Sequence, residues 1–457
     1  MNDAPSQTPA QGRAPSPAVP GASSLYAPDA RTCRRNASER RFRLIGLIAV
    51  AFGVLALITL LASILSNGLS SFRQTYVTVD VFLDPARLDK DGSGDLGKIA
   101  KVTTFGYKPL IEQALIAATQ NAGIDTGAMK KKEIGGLISD EAPATLRNHV
   151  LAHPDQIGRN VRFSLLAAGR IDGYYKGRVT MASAALDRNV SPEQLMLADN
   201  LRQAGILETR FNWAFFTAPD ASDTRPEAAG VGVAILGSAY MMLTVLVLSL
   251  PLGVAASIYL EEFARKSWIT DLIEVNISNL AAVPSIVFGI LGLSIFINWA
   301  GLPQSAPIVG GLVLTLMTLP RIIIPARAAL TSVPPSIREA ALGVGASKMQ
   351  TVFHHVLPLA TPGILTGVII GLAQALGETA PLLLIGMVAF VREYPGAPPE
   401  GFFDPASALP VQVYSWTTRG DPAFVERASG AIIVLLAFLL AMNIIAIILR
   451  RRFERRW

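Results

Sequence analysis

An all-α, multi-pass membrane protein carrying one α+β domain outside the bilayer is the fold class this sequence predicts, on three observations. Of its 457 residues 51% are hydrophobic and only 16% charged, an apolar share above, and a charge share below, those of ordinary soluble domains. Six runs are apolar and long enough to cross a hydrocarbon core, which takes about 20 helical residues; they fall near 44–65, 231–259, 277–299, 307–330, 363–390 and 430–449. Between the first and second run lies a stretch, 66–229, of soluble composition and far too long to be a turn.

Taken in order, residues 1–43 are rich in Pro, Ala, Ser and Gly at their start and have no apolar period, so they predict a disordered cytoplasmic tail. The run 44–65 is uncharged and exceeds the roughly 7 to 15 residues of a signal-peptide core, so an anchoring helix is expected, although Arg40-Arg41 has the look of a twin-arginine signal. In the 66–229 domain Val77, Val79, Val81 and Leu83 alternate with polar neighbours, which predicts a half-buried strand over 76–83. Helical patterns dominate afterwards, over 111–122, over 144–151, and from Ser191-Pro192-Glu193-Gln194. Asp89, Asp91, Gly94 and Asp95 open like an EF-hand loop, but the bidentate Glu such a loop needs at its far end is replaced by Ala100; a solvated turn with no metal is expected. The remaining five spans occupy 230–449, and 450–457 is a basic tail.

The net charge of +6 is concentrated in Arg34, Arg35, Arg40, Arg41 and Arg43 at one end and in Arg450, Arg451, Arg452, Arg455 and Arg456 at the other. Both clusters abut apolar spans, which argues against nucleic acid and, by the positive-inside rule, places both termini in the cytoplasm. An even number of spans agrees, and puts the polar interruption at 331–360 inside and the loop at 392–428 outside. The segment 261–274 would also be inside despite an excess of acids, to which the rule gives little weight. A single cysteine, Cys33, excludes an internal disulfide or a multi-cysteine metal site. No GxxxxGK[ST] or GxSxG sequence occurs, and the histidines His149, His153, His354 and His355 are not spaced with carboxylates as metal ligands. A transport subunit without cofactor, rather than an enzyme, is expected.

The polar interruption is built as a helix-turn-helix. Ser336 with Glu339 reads as a capping box, Gly343 and Gly345 as the break, and a second helix runs toward Pro358. The order Glu339-Ala340-Ala341, then Gly345, then Leu357-Pro358 resembles the "EAA" loop of ATP-binding-cassette importer permeases, whose two short helices seat in a groove on the nucleotide-binding subunit. His355 stands where that family often has an apolar residue.

Further on, Glu378 is an ionisable residue within the fifth apolar run, where a carboxylate must face protein or water. Its setting, Gly377-Glu378-Thr379-Ala380-Pro381-Leu382-Leu383, resembles the "GETAPLL" signature of phosphate-importer permeases, of whose two subunits the PstA type is the closer. Gln374 stands where an Arg is expected in that signature's lead-in. The resemblance covers roughly 230–449 and implies a type I importer permease fold, with the 66–229 insert as an extra outer domain. It also implies partners: a second permease (PstC-like), an ATP-binding subunit dimer (PstB-like) and a periplasmic phosphate-binding protein (PstS-like).

Candidate path residues are Arg321, Gln374, Glu378 and Thr379, with Arg327 as a second basic candidate near the end of the same span. A guanidinium suits a tetrahedral anion because it cannot lose its proton. Arg321 lies between Pro320 and Pro325, where a broken helix would aim amides and guanidinium at a path. In the competing reading Arg321 pairs with Glu378 and Arg327 snorkels to the surface. Two other functions share these features in part: a permease for sulfate or molybdate, and a membrane-anchored sensor whose outer domain is the working part.

Overall fold

The computed structural model describes residues 30–89, 94–127, 129–387 and 390–453, and divides into two compact units at Ser63/Ile64. The described part of the first unit belongs to helix α1 (Ala30–Gly68). The helix takes in all five N-terminal arginines expected in a disordered tail, because the stretch 30–43 holds no Gly or Pro and extending an existing helix adds one hydrogen bond per residue fixed. The rest of that expected tail lies outside the described residues.

The second unit opens with a domain built on β1 (Arg73–Phe82), followed by α2 (Thr104–Asn121), α3 (Ala142–Ala152), β2 (Asn160–Leu166), α4 (Gly169–Tyr175), α5 (Pro192–Gln203) and β3 (Leu207–Phe211). The three strands form an antiparallel sheet in the order β2-β1-β3. The alternation at Val77, Val79, Val81 and Leu83 is realised as a buried face, covered by Tyr107, Leu110 and Leu115 of α2, Leu146 of α3 and Leu195 and Leu201 of α5. Ser191 and Gln194 exchange hydrogen bonds as a capping box at the start of α5. The two flanking strands were not foreseen. At the EF-hand-like acids, Gly94, at φ +62°, donates its N–H to Asp89 Oδ2 at 2.8 Å, and Asp95 caps the helical turn that follows; residues 90–93 lie outside the described residues.

The rest of the unit is helical: α6 (Gly232–Ile258), α7 (Trp268–Ala282), α8 (Ser285–Gly292), α9 (Pro307–Thr331), α10 (Pro335–Gly343), α11 (Lys348–Thr351), α12 (Leu357–Gly377), α13 (Ala380–Leu384), α14 (Leu409–Thr418) and α15 (Pro422–Phe453). Among the described residues five helices can cross a membrane by length and apolarity, or up to six spans if a bent pair counts as one. That pair corrects the expected straight span at 277–299. The axes of α7 and α8 meet at 100° across Val283-Pro284, since Pro284 has no N–H to continue the ladder and drives Val283 into an extended conformation, ψ 131°. The expected span at 363–390 is corrected at both ends. A π-helical turn, Val352–Val356, makes α11 and α12 one rod, and the helix stops at Gly377; residues 388–389 lie outside the described residues.

Central in the bundle, α9 packs between α6 and α12. Close approach to α12 is made possible by Gly363, Gly367 and Gly371, spaced on one face; a Cβ at Gly367 would lie 2.8 Å from Pro325 Cβ and one at Gly363 2.6 Å from Ala329 Cβ. Small residues at such a seam let backbones approach where lipid offers no hydrophobic drive.

The domain built on β1 meets the bundle through buried Phe215, Trp416 and Phe424 and through a charged cluster. Arg427 of α15 is 2% exposed and donates to Gln74 Oε1 (2.6 Å), to the Glu227 carbonyl (2.8 Å) and to the Ala229 carbonyl (3.2 Å). Beside it Lys176 lies 2.7 Å from Asp172 and 3.0 Å from Glu426, and Arg178 also pairs with Glu426. Burial pushes the Lys176 ammonium below its ordinary value, with Asp172 pulling it back, and pushes the Glu227 carboxyl up.

Candidate coupling loop and translocation path

The helix-turn-helix between α9 and α12 forms, with a different start from the one expected. Its first helix, α10, begins at Pro335 behind an extended Pro334 and has no side-chain cap. Ser336 and Glu339 do not form a capping box, because Pro335 already occupies N1, where its fixed φ and missing N–H suit a helix start. Helix α10 ends in a Schellman motif: Ala346 N–H bonds the Ala341 carbonyl and Gly345 N–H the Leu342 carbonyl, with Gly345 at φ +90°. A capping box does form one turn later, between Ser347 and Gln350 at the head of α11.

This motif presents an apolar surface. Glu339, Ala340, Leu342, Val344, Met349 and Phe353 are exposed, Val344 at 86%, whereas Ala341 is buried and Leu357 half-buried at the base, with Pro358 exposed beside it. A contiguous exposed apolar patch on a folded loop marks an interaction surface.

The loop is tied to the bundle by residues the sequence reading passed over. Arg338 forks onto Glu262, with Nη2 2.7 Å and Nε 3.1 Å from Oε1, and donates to the Val333 and Leu330 carbonyls at the end of α9. Arg327 does not simply snorkel; its Nη2 is 2.8 Å from Glu274 and 3.5 Å from Glu261. The acid excess of 261–274 was the available signal: Glu261, Glu262 and Glu274 each face an arginine contributed by α9 or α10.

Glu378 is not within a helix. It stands in an extended conformation, φ −78° and ψ 130°, in the break between α12 and α13, half-buried together with Thr379, while Gln374 is exposed one turn earlier. Pro381 sits at the head of α13, against Gly289 of α8. Helix α9 runs unbroken through Pro320 and Pro325, so Arg321 lies on a continuous helix rather than in a gap. Its Cβ is 4.0 Å from the Cβ position of Gly371, seven residues, or about 10 Å of helix rise, before Glu378. Arg321 and Glu378 therefore stand at different levels and no ion pair joins them. Arg321 Nη1 is buried with no hydrogen-bond partner among the described residues.

Crossing helices, one bent span, a broken span ending in Gly377-Glu378-Thr379 and an exposed two-helix loop make up the architecture of an ATP-binding-cassette importer permease. Residues 249–457 match the family described as "Binding-protein-dependent transport system inner membrane component", and residues 29–185 match a domain of unknown function, DUF3333. The "Probable ABC transporter permease protein YqgI" of Bacillus subtilis (strain 168) is 33% identical over 230 residues, 48% of this chain and 78% of that protein. The "Phosphate transport system permease protein PstA 1" of Mycobacterium tuberculosis (strain CDC 1551 / Oshkosh) is 32% identical over 232 residues, 50% of this chain and 73% of that protein. "Phosphate transport system permease protein PstA" of Yersinia pestis is 30% identical, covering 48% and 73%. The chain belongs to the family of PstA-type transport permeases, multi-pass membrane subunits that are not enzymes, and carries an additional N-terminal domain.

Proposed function

We propose that this chain forms half of the path by which an ATP-driven importer carries inorganic phosphate across a bacterial inner membrane, with both termini and the 331–360 loop on the cytoplasmic side. The observation that carries the reading is Arg321, on the central helix of a PstA-type permease, whose buried Nη1 has no hydrogen-bond partner among the described residues. An unpaired guanidinium donor inside a bundle is costly unless something transient satisfies it, and a phosphate oxyanion accepts from Arg in a two-pronged, charge-assisted bond. Two turns further along the same seam, Glu378 and Thr379 at the α12/α13 break, with exposed Gln374, supply further polar groups to the same path.

In this reading a PstC-like permease supplies the other half, and the exposed patch around Glu339, Ala340 and Gly345 seats on a PstB-like ATPase dimer. Because α11 and α12 are one rod, a push on that patch is transmitted to the break at Glu378, which is the kind of two-state element alternating access requires. A PstS-like binding protein delivers phosphate from outside. Proteoliposomes holding the four subunits, offered phosphate, sulfate and molybdate in turn, test this. Uptake and ATP turnover driven by phosphate alone support it, stimulation by another oxyanion keeps the permease and rejects the substrate, and no stimulation in an intact complex rejects the transport reading.

A further inference from the structure

We infer that the outer domain rests on the bilayer through an aromatic footing made of Phe72, Phe211, Trp213 and Phe216, so that its own partner is the lipid interface. The four rings form one cluster: Phe72 stacks on Phe216 (centroids 5.5 Å apart) and on Phe211 (6.4 Å), and Phe211 meets Trp213 edge-on at 4.8 Å. Trp213 is 71% exposed and Phe211 50%.

Two independent features fix where this cluster lies. Buried Phe215, edge-on to Phe72 and Phe216, sits where three apolar segments begin or end. Its carbonyl accepts from Val231 N–H at the head of α6, and its ring lies 3.0 Å from the Cβ position of Gly430, close to where the uncharged run of α15 starts. Gly68, four residues before Phe72, packs against Ser429 and Ile433 of that same helix. The cluster thus lies at the level where the spans leave the hydrocarbon.

The second feature is the sheet. Leu207, Thr209 and Phe211 point to one face of β3, the face that is buried at Leu207 and Val77 under the domain's helices. By Phe211 the helical cover has run out while the apolar pattern continues, and Arg73, exposed and paired in register with Phe211, stands beside it. An exposed indole with its N–H, set among apolar phenyl rings and beside a cation, is a composition that settles at the headgroup boundary.

Nitroxide accessibility in the full chain, reconstituted in vesicles of phosphatidylethanolamine and phosphatidylglycerol, tests this. Cys33 is replaced by Ser and a spin label is placed by Trp213→Cys, by Phe211→Cys as an independent second site, and by Phe105→Cys, whose parent side chain is 83% exposed on the same domain. Labels at 213 and 211 should be reached by oxygen and shielded from a nickel chelate several-fold more than the label at 105. An aqueous profile at 213 and 211 matching that at 105 would overturn the footing. Shielding from both reagents would overturn it in favour of a protein partner on this surface.

Discussion

Two arginines sit inside this molecule under opposite conditions. Arg427, where the domain built on β1 meets α15, spends its donors on three acceptors and has the carboxylates of Asp172, Glu426 and Glu227 nearby. Arg321, in the middle of the span bundle, leaves a buried nitrogen with none among the described residues. Arg427 is buried whole and Arg321 only in part, yet each carries buried guanidinium nitrogen, so burial alone does not mark function. Partners supplied by the fold make a buried cation part of the structure, and the role proposed for Arg321 rests on the contrast with that arrangement.

Removing the satisfied arginine should produce the larger loss of stability. Arg427→Leu strands the Gln74, Glu227 and Ala229 acceptors and upsets the Asp172, Glu426 and Lys176 balance, at a cost of about 3–5 kcal/mol, the usual range for breaking a buried pair by removing one partner. Thermal unfolding of the purified chain in detergent should show it, while uptake per folded complex stays near normal. A variant as stable as the parent would mean the cluster does not hold the domain built on β1 to the span.

Next in size is the seam beside Arg321. Gly367→Leu drives a side chain into Pro325, and overpacking costs about 1–3 kcal/mol. Gly46→Leu, at a position with nothing within 4 Å, is the matched control and should leave the unfolding midpoint unmoved. Equal behaviour of the two would break the assignment of Gly363, Gly367 and Gly371 as a close-packed seam between α9 and α12.

Smaller again is the loop. Gly345→Ala places a Cβ at φ +90° and should cost about 1–2 kcal/mol locally, reducing phosphate-stimulated ATP turnover in a complex of normal composition. Glu339→Lys, on the exposed face, should lower the same turnover with no change in unfolding. Normal turnover in both would remove the loop from the coupling role.

The spans and the loop were legible in the sequence because hydropathy and spacing are local. The two inter-helix breaks were not. Nothing apolar ends at Glu378, so a run of hydrophobic letters hides a stop at Gly377, and Pro284 reads as a tolerated proline until the packing of α8 shows that it turns the chain by 100°. Pro334-Pro335 was a stronger helix-start signal than Ser336 and Glu339 and overrode it. Strand β2 carries the same alternation as β1, with Val161, Phe163 and Leu165 apolar between Asn160, Arg162 and Ser164, so its signal was present and passed over, whereas β3 is short and mostly exposed, with only Leu207 buried, and shows none. The excess acids of 261–274 looked like a topological irregularity; they are explained only when Arg327 and Arg338 arrive from elsewhere in the chain.

The least perturbing change to the fold is the one expected to matter most for transport. Arg321→Met keeps the length and apolar stem of the side chain, removes a buried donor that has no acceptor among the described residues, and should shift stability by no more than about 0.5 kcal/mol in either direction. Uptake should fall to background while assembly with the partner subunits is unchanged, and Arg321→Lys should recover only part of it, because an ammonium keeps the charge and loses the fork. If Arg321→Met instead unfolds the chain, an acceptor for Nη1 exists within the assembled bundle and the contrast with Arg427 fails. If it is stable and transports normally, the anion is held by other groups, with Glu378, Thr379 and Gln374 at the break as the next to replace.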